Sequence, residues 1–387
     1  MIKTMVACTA EIIEADLAVQ EILSQLNIEG GLLKNSIGIV TCHYEFVTSE
    51  IVKALCDALP FEIVGTVSSS QAALDCAGSL YMALTVITSD DTEFVTALTS
   101  TLAESPEAAI AETYKQAAAP RPEKPALILT FAPFMPQNTG DSYVQVLSEA
   151  SGDVPCFGTL AIDDSADFSG CFVFGKGEHY LDRMSMVLVY GELSPKFYIA
   201  NVPPENIMDK SAIITKSAGS VIMEVNGRSM DTFFTDMGLM EATEIPYAML
   251  SLPFMIDYND GAPKVSKNYI GKTPERYAIC AGAIPEGSTL HIATLSKEDV
   301  IQTAGQVLDQ MLRDMEGVSG MLIYSCVGRS MVLGADQYDE MNLISGKVAG
   351  KLPFMMASAG GEICPTQILG GKATNRFHNN AFIACLF

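Results

Sequence analysis

Unbroken apolar runs alternate with helix-period segments along most of the chain. The clearest unit is Met321–Glu362. An apolar run, Met321–Ser325, is followed by a loop carrying Cys326 and Arg329 and then by a helical segment. Leu352-Pro353-Phe354 leads into a second run, closed by Ser358-Ala359-Gly360-Gly361-Glu362. Run, helix, run is the pattern of a strand–helix–strand crossover between parallel strands. The same order occurs in Ser36–Ser70 and in Ala126–Asp164, and a partial copy is expected at Leu252-Pro253-Phe254-Met255-Ile256. Leu59-Pro60-Phe61 and Val154-Pro155-Cys156-Phe157 repeat the proline and aromatic that precede the second run, which points to internal duplication. After each full copy come runs expected to pair with one another: Leu80–Thr88 with Glu93–Thr99, Cys171–Gly175 with Met184–Tyr190, and Thr366–Leu369 with Ala381–Leu386.

Between these units the punctuation is local. Glu11–Leu26 and Ser105–Ala119 have helical spacing, and Pro120–Pro125 stops the latter. Ser49 is expected to cap a helix over Ser49–Leu59. Ser296 with Asp299 forms a capping box that opens a helix running to about Met315. Val221–Val225 ends in the tight-turn pair Asn226-Gly227, Asp231–Gly238 reads as helix, Asp257–Lys267 as a polar turn, and Tyr277–Ala283 and Leu290–Thr294 as strands. The pattern breaks at Pro203–Ser217, which divides the chain into 1–210 and 211–387. The expected fold is α/β: two domains of repeated strand–helix–strand units with added antiparallel strands.

Composition narrows the function. The 387 residues carry 23 Lys and Arg against 46 Asp and Glu, a net charge of −23. That balance disfavours nucleic acid and anionic membrane surfaces, which need a basic footprint. The amino-terminal MIKTMVACTAEII is interrupted by Glu11, Glu14 and Asp16, so it reads as mature protein rather than as a leader, and no window has the length of an apolar membrane span. Ten cysteines are scattered singly, which suits buried thiols in a reducing cytoplasm better than a disulfide framework or a zinc site. Asp163-Asp164-Ser165-Ala166-Asp167 lacks the glycine and terminal glutamate of a calcium loop, and no phosphate-loop or metal motif occurs, so neither metal nor cofactor is expected.

Several motifs together resemble the FIST family (F-box and intracellular signal transduction proteins), with an amino-terminal and a carboxy-terminal domain. They are Gly65-Thr66 with its serine-rich loop, Pro155-x-Phe157-Gly158, and Val225-Asn226-Gly227-Arg228. More specific are Tyr324-Ser325-Cys326-x-x-Arg329 followed by Glu340, then Gly361-Glu362-Ile363-x-Pro365, and finally His378-Asn379-Asn380. The resemblance spans roughly residues 30 to 380. It implies a non-catalytic sensory module that binds a small polar metabolite such as an amino acid. Family members are often joined to output domains; here the two domains use up the chain, so signalling is expected to pass through a separate partner protein. The chain departs from the family in having Ala381 where members more often carry Thr.

Loops at the carboxyl ends of parallel strands are where α/β proteins hold ligands. The ligand-binding set expected there is Arg329, Glu362, Cys326, Ser325, His378, Asn379 and Gly361. A guanidinium offers a planar fork to a carboxylate, a neighbouring glutamate accepts from an ammonium group, and His378 and Asn379 orient. The competing structural reading pairs Arg329 with Glu362 directly. The alternative functional reading is an enzyme with Cys326 as nucleophile and His378 as base on an acyl or amide substrate. A ligand-free scaffold with Met-rich contact segments (Met237–Met240, Met249–Met255) is a third.

Overall fold

The computed structural model describes residues 1–135, 139–165, 167–367 and 373–387. Part of the acidic loop (residue 166) and the end of the expected Thr366–Leu369 strand lie outside the described residues.

The duplication is threefold. The first unit runs β1 (Ile2–Thr9), a helix (Ala15–Gln25), β2 (Asn35–Cys42), a helix (Ile51–Ala58), β3 (Ile63–Val67), a hairpin of β4 (Gln71–Ala73) and β5 (Cys76–Gly78), and β6 (Met82–Ser89). The second repeats this order: β7 (Glu93–Leu98), Pro106–Ala118, β8 (Leu127–Ala132), Gly140–Ser151, β9 (Cys156–Leu160), the hairpin β10 (Val173–Gly175) and β11 (Glu178–Tyr180), and β12 (Ser185–Tyr190). The third opens with β13 (Lys196–Ala200) and is then interrupted by a separate sheet. That sheet consists of β14 (Ile207–Ala218), β15 (Val221–Val225), β16 (Arg228–Ser229), β17 (Phe254–Asp257), β18 (Val265–Lys267), β19 (Tyr269–Lys272), β20 (Ala278–Cys280) and β21 (Thr289–Ala293). The unit resumes with Lys297–Arg313, β22 (Met321–Cys326), helices Val327–Leu333 and Asp339–Val348, β23 (Phe354–Ala359), the hairpin β24 (Glu362–Gln367) and β25 (Ala373–His378), and β26 (Phe382–Leu386).

Each unit builds a parallel pair: β2 with β3, β8 with β9, β22 with β23. Its last strand returns antiparallel beside the first of the pair, and its opening strand closes that edge. The hairpins are exchanged. That of the first unit joins β23, that of the second joins β3, and that of the third joins β9. The three sheets therefore interlock in a ring, and strands from either side of residue 210 share a sheet, as β13 does with β26.

The inner faces of the three sheets meet in one core that includes Val6, Ile39, Val64, Phe131, Phe157, Tyr324 and Ile383. Their outer faces are covered by each unit's own helices. Strands buried on both faces need apolar residues at every position, which is why they read as unbroken runs.

Several expectations are corrected. The strands that follow each crossover exist, but none pairs as expected: β6 lies between β1 and β2, β12 between β7 and β8, and β26 between β13 and β22. Leu252–Ile256 is not a fourth crossover, because β17 is antiparallel to both of its neighbours, β18 and β21. The Asp257–Lys267 turn ends in a buried strand, β18. Ser49 is not an N-cap; its hydroxyl donates to Glu45 O, 2.7 Å away, at the end of a preceding short helix, and the next helix starts at Ile51. The capping box of Ser296 and Asp299 is formed. The cysteines are not all thiols: Cys8 on β1 is bonded to Cys76 in the exchanged β4–β5 hairpin. The hairpin pairs with β23 of the third unit, and the disulfide ties it back to β1 of its own unit across 68 residues of sequence, so spacing carried no sign of the pair.

Among the described residues no helix is long and apolar enough to cross a membrane.

Candidate functional site

The carboxyl ends of the parallel strands face one another across the ring and are stitched by main-chain bonds. Ile162 N donates to Val67 O (3.2 Å), Gly360 N to Leu160 O (3.0 Å), and Ser358 N to Ser70 O (2.9 Å). Ser68 Oγ donates to Ser358 O at 2.8 Å, and Ser70 and Ser358 share a hydroxyl bond of 2.6 Å, so the serine-rich loop seals a seam between two units. Asp163 is used locally, accepting from Ser165 Oγ (2.6 Å) and Gly170 N (2.7 Å).

The inserted sheet lies over the edge of the third unit. Its turn between β18 and β19 touches the turn between β25 and β26. Asn379 N donates to Ser266 O at 3.1 Å, and Asn268 N approaches Asn379 Oδ1 at 3.5 Å. Asn380 Nδ2 donates to Leu250 O at 3.2 Å. Lys267 is wholly buried; its ammonium donates to both oxygens of Asp141 (2.8 and 2.9 Å) and to Phe377 O (2.8 Å). Ala283 N completes the Asp141 carboxylate at 2.7 Å.

Arg329 sits behind this junction with no exposed surface. Its partner is Glu340, not Glu362: Nε and Nη2 reach Glu340 Oε1 at 3.0 and 2.6 Å. Nη2 also donates to Val300 O (2.9 Å) and Thr303 Oγ1 (3.2 Å), and Nη1 to Asn380 O (3.5 Å). Ser325 Oγ donates to the other Glu340 oxygen at 2.5 Å. The fork is filled by protein acceptors from two helices and the Asn380 turn.

Glu362 is equally buried, yet poorly satisfied. Oε2 accepts from Ala381 N at 3.4 Å, and Oε1 has no partner among the described residues. The carboxyl also shares a hydrogen bond with the Cys326 thiol. Burial pushes the Glu362 carboxyl well above the usual carboxylate range. Burial, then the adjacent Glu362, pushes the Cys326 thiol up as well, the opposite of an activated nucleophile.

His378 faces Glu362 across β24 and β25. Its Nε2 lies 3.3 Å from Cys364 O and its Nδ1 is unpartnered among the described residues. Burial, reinforced by the Lys267 charge, pulls its pKa down to about 3. The side chain bonded to Cys326 is thus Glu362, while His378 is engaged at Cys364. Gly361 has φ of +146°, and a Cβ there would lie 2.2 Å from the Phe377 ring, so only glycine lets the chain enter β24.

The structure therefore brings Cys326, Glu362, Asn379 and the neighbouring Asn380 to one junction, with His378 on the adjoining strand and Arg329 and Ser325 in the wall behind it. Sequence reasoning missed Lys267, Asn268, Ser266 and Asp141. Ser266, Lys267 and Asn268 follow directly on the polar stretch that begins at Asp257, so nothing in the pattern marked them as buried.

Sequence comparison decides the family. The FIST N domain matches residues 36–228 and the FIST C domain residues 233–365. The chain belongs to the FIST family. FIST domains are generally sensor domains of signal transduction rather than enzymes. The sheets interleave strands of both matched regions. Among curated proteins none matches the sequence. Among solved structures, PurLQS from Thermotoga maritima aligns over 100% of this chain and 72% of that chain, at 9% identity and a TM-score of 0.21, a likeness too weak to carry an argument.

Proposed function

We propose that this FIST protein is a non-catalytic sensor that binds a small polar metabolite, of the size and polarity of an amino acid, where the inserted sheet meets the third unit. One observation carries the reading. Glu362 Oε1, Asn380 Oδ1, Asn268 Oδ1, Ser266 Oγ and His378 Nδ1 are buried around the same junction without hydrogen-bond partners among the described residues. A buried polar atom left unpaired costs about 1–3 kcal/mol, so a cluster of them calls for a polar occupant.

Roles divide by geometry. Glu362 offers its unpaired Oε1 to a polar group of the ligand; the Asn379 and Asn380 amides donate and accept; His378 offers Nδ1; and Cys326 lines the floor. Gly361 allows the close approach. Arg329 and Ser325 act through Glu340 as the frame that holds the Asn380 turn, rather than as the carboxylate fork. Entry parts the Ser266–Asn268 turn from Asn379. Occupancy is thereby tied to the placement of the inserted sheet, a movement that a separate signalling partner reads.

The test is a thermal-shift screen of the full chain against amino acids, small carboxylates and short peptides. A ligand at about a hundred times its dissociation constant adds nearly 3 kcal/mol of apparent stability. A shift lost in Glu362→Gln and in Asn268→Ala supports the site. A shift retained in both variants places the ligand elsewhere, and silence across the panel with a folded protein overturns the reading.

A further inference from the structure

The first strand of the chain has an open edge. Among the described residues β1 pairs only with β6, and Asp90 N bonds to Met1 O. In that antiparallel register the odd-numbered residues of β1 turn their main-chain groups to β6, and the even-numbered ones turn outward. Cys8, an even position, confirms the phase: its N–H donates to Gln25 Oε1 at 3.0 Å and its carbonyl accepts from Gln25 Nε2 at 2.8 Å. A side-chain amide there takes the place of a neighbouring strand. Toward the amino end nothing does so, and the outward N–H and C=O of Ile2 and Thr4 have no partner among the described residues.

Beside that edge lies a groove of about 460 Å³, lined by Ile2–Met5 on the strand side and by Asn27, Gly30, Gly31 and Ser319 opposite. The opposite wall offers small side chains to whatever enters.

We infer that this groove is a strand-addition site, taking an extended peptide segment of another protein that continues the sheet beyond β1. The unpaired amides and carbonyls specify the occupant: an extended backbone of three or four residues matches a strand edge that rises about 3.3 Å per residue. The recessed walls admit a single segment. A second copy of this chain fits less well, since two bodies each carrying a net charge of −23 repel. The Gln25 cap ends the site at Cys8, so the added strand is short.

Panning a random heptapeptide display library on the full chain, followed by amide exchange on the complex, tests this. In the free chain the Ile2 and Thr4 amides are expected to exchange at least tenfold faster than those of Lys3 and Met5. Recovered peptides should slow them at least tenfold. Thr4→Pro deletes the outward N–H and spares the β6 ladder, a place where an edge strand tolerates proline; it should weaken binding at least tenfold. Thr4→Val, which loses only the 3.0 Å side-chain bond to Ser319, should not. The inference is overturned if Ile2 and Thr4 are already as protected as Lys3 and Met5. It is equally overturned if no peptide is recovered, if recovered peptides leave these amides unprotected or bind Thr4→Pro undiminished, or if protection follows self-association instead. The exchange measurement on the unaltered chain decides even where Thr4→Pro folds poorly.

Discussion

Arg329 Nη2 lies 2.6 Å from Glu340 Oε1, with both side chains buried and Nε, Nη1 and Nη2 each facing a protein acceptor. Removing one partner leaves the other charge buried and alone, which typically costs about 3–5 kcal/mol. Arg329→Met is therefore expected to lower unfolding stability by that order. Arg329→Met combined with Glu340→Met should cost markedly less than the single change, because no orphaned charge remains. Urea unfolding of the two single variants and the double one checks this. A double variant as unstable as the sum of the singles would deny the coupling.

The buried acid and base of the junction work in opposite directions on pH. His378 titrates at about 3 in the folded protein and near 6.5 when unfolded, so the unfolded chain takes the proton first. Its contribution is complete above about pH 6.5 and falls by roughly 1.4 kcal/mol per pH unit as pH drops from there toward 3. Glu362 has the reverse sign. Its folded pKa lies well above 4.5, so its contribution is complete below 4.5 and is lost as pH rises through the folded value. His378→Gln should flatten the acid limb of the stability profile, and Glu362→Gln the limb at higher pH. Denaturation midpoints measured from pH 3 to pH 9 test both signs.

Cys326 separates the sensor reading from a thiol enzyme. Its thiol is buried, hydrogen-bonded to the Glu362 carboxyl and pushed up by both, so native protein should react slowly with iodoacetamide at pH 7 while unfolded protein reacts at the rate of an ordinary thiol. Mass spectrometry of the Cys326 peptide after timed quenching reads this directly. Rapid and selective alkylation of Cys326 in the folded chain would revive the nucleophile.

The repeated strand–helix–strand units were legible because strands buried on both faces must be apolar throughout, and each crossover preserves that signature. The exchange of hairpins was not. β4, β10 and β24 are six residues or fewer, and nothing in Gln71–Ala73 tells whether it pairs with its own unit or with β23. The site was legible in part. Cys326, Glu362, His378 and Asn379 fall at the junction because they end or follow core strands. From sequence Arg329 reads as a fork for a ligand, because its partner, Glu340, lies on the second helix of the crossover, where only the folded geometry brings it back. Lys267 and Asn268 belong to an inserted sheet, and its docking surface has no periodic signature.

Lys267 holds that sheet to the second unit, with its ammonium between Asp141 and Phe377 O. Lys267→Met should cost about 3–5 kcal/mol, since Asp141 is left against Ala283 N without its cation. The inserted sheet has its own core around Phe234, Phe254 and Tyr269, so the loss should appear first as uncoupling. Proteolysis at the junctions flanking residues 202–295 should quicken before global unfolding does.

The two glycines of the resemblance, Gly65 and Gly158, sit at equivalent places in the first two units. Gly65 faces Val40 and Gly158 faces Thr130 across their parallel pairs. A Cβ on either would lie 1.8 Å from the carbonyl oxygen of that partner. The third unit has Ala357 opposite Tyr324, so its strands must be spaced to admit the methyl group. Gly158→Ala forces β8 and β9 apart at the seam where Leu160 N bonds to Gly361 O at 3.0 Å. The displacement therefore reaches Glu362. It is expected to cost about 1–3 kcal/mol or more and to weaken any metabolite bound beside Glu362. Ala357→Gly leaves room and should be milder, at about 0.5–1 kcal/mol. Unfolding curves of the two variants compare the units. Equal costs would mean that the parallel pairs are spaced alike and that the glycines are there for another reason.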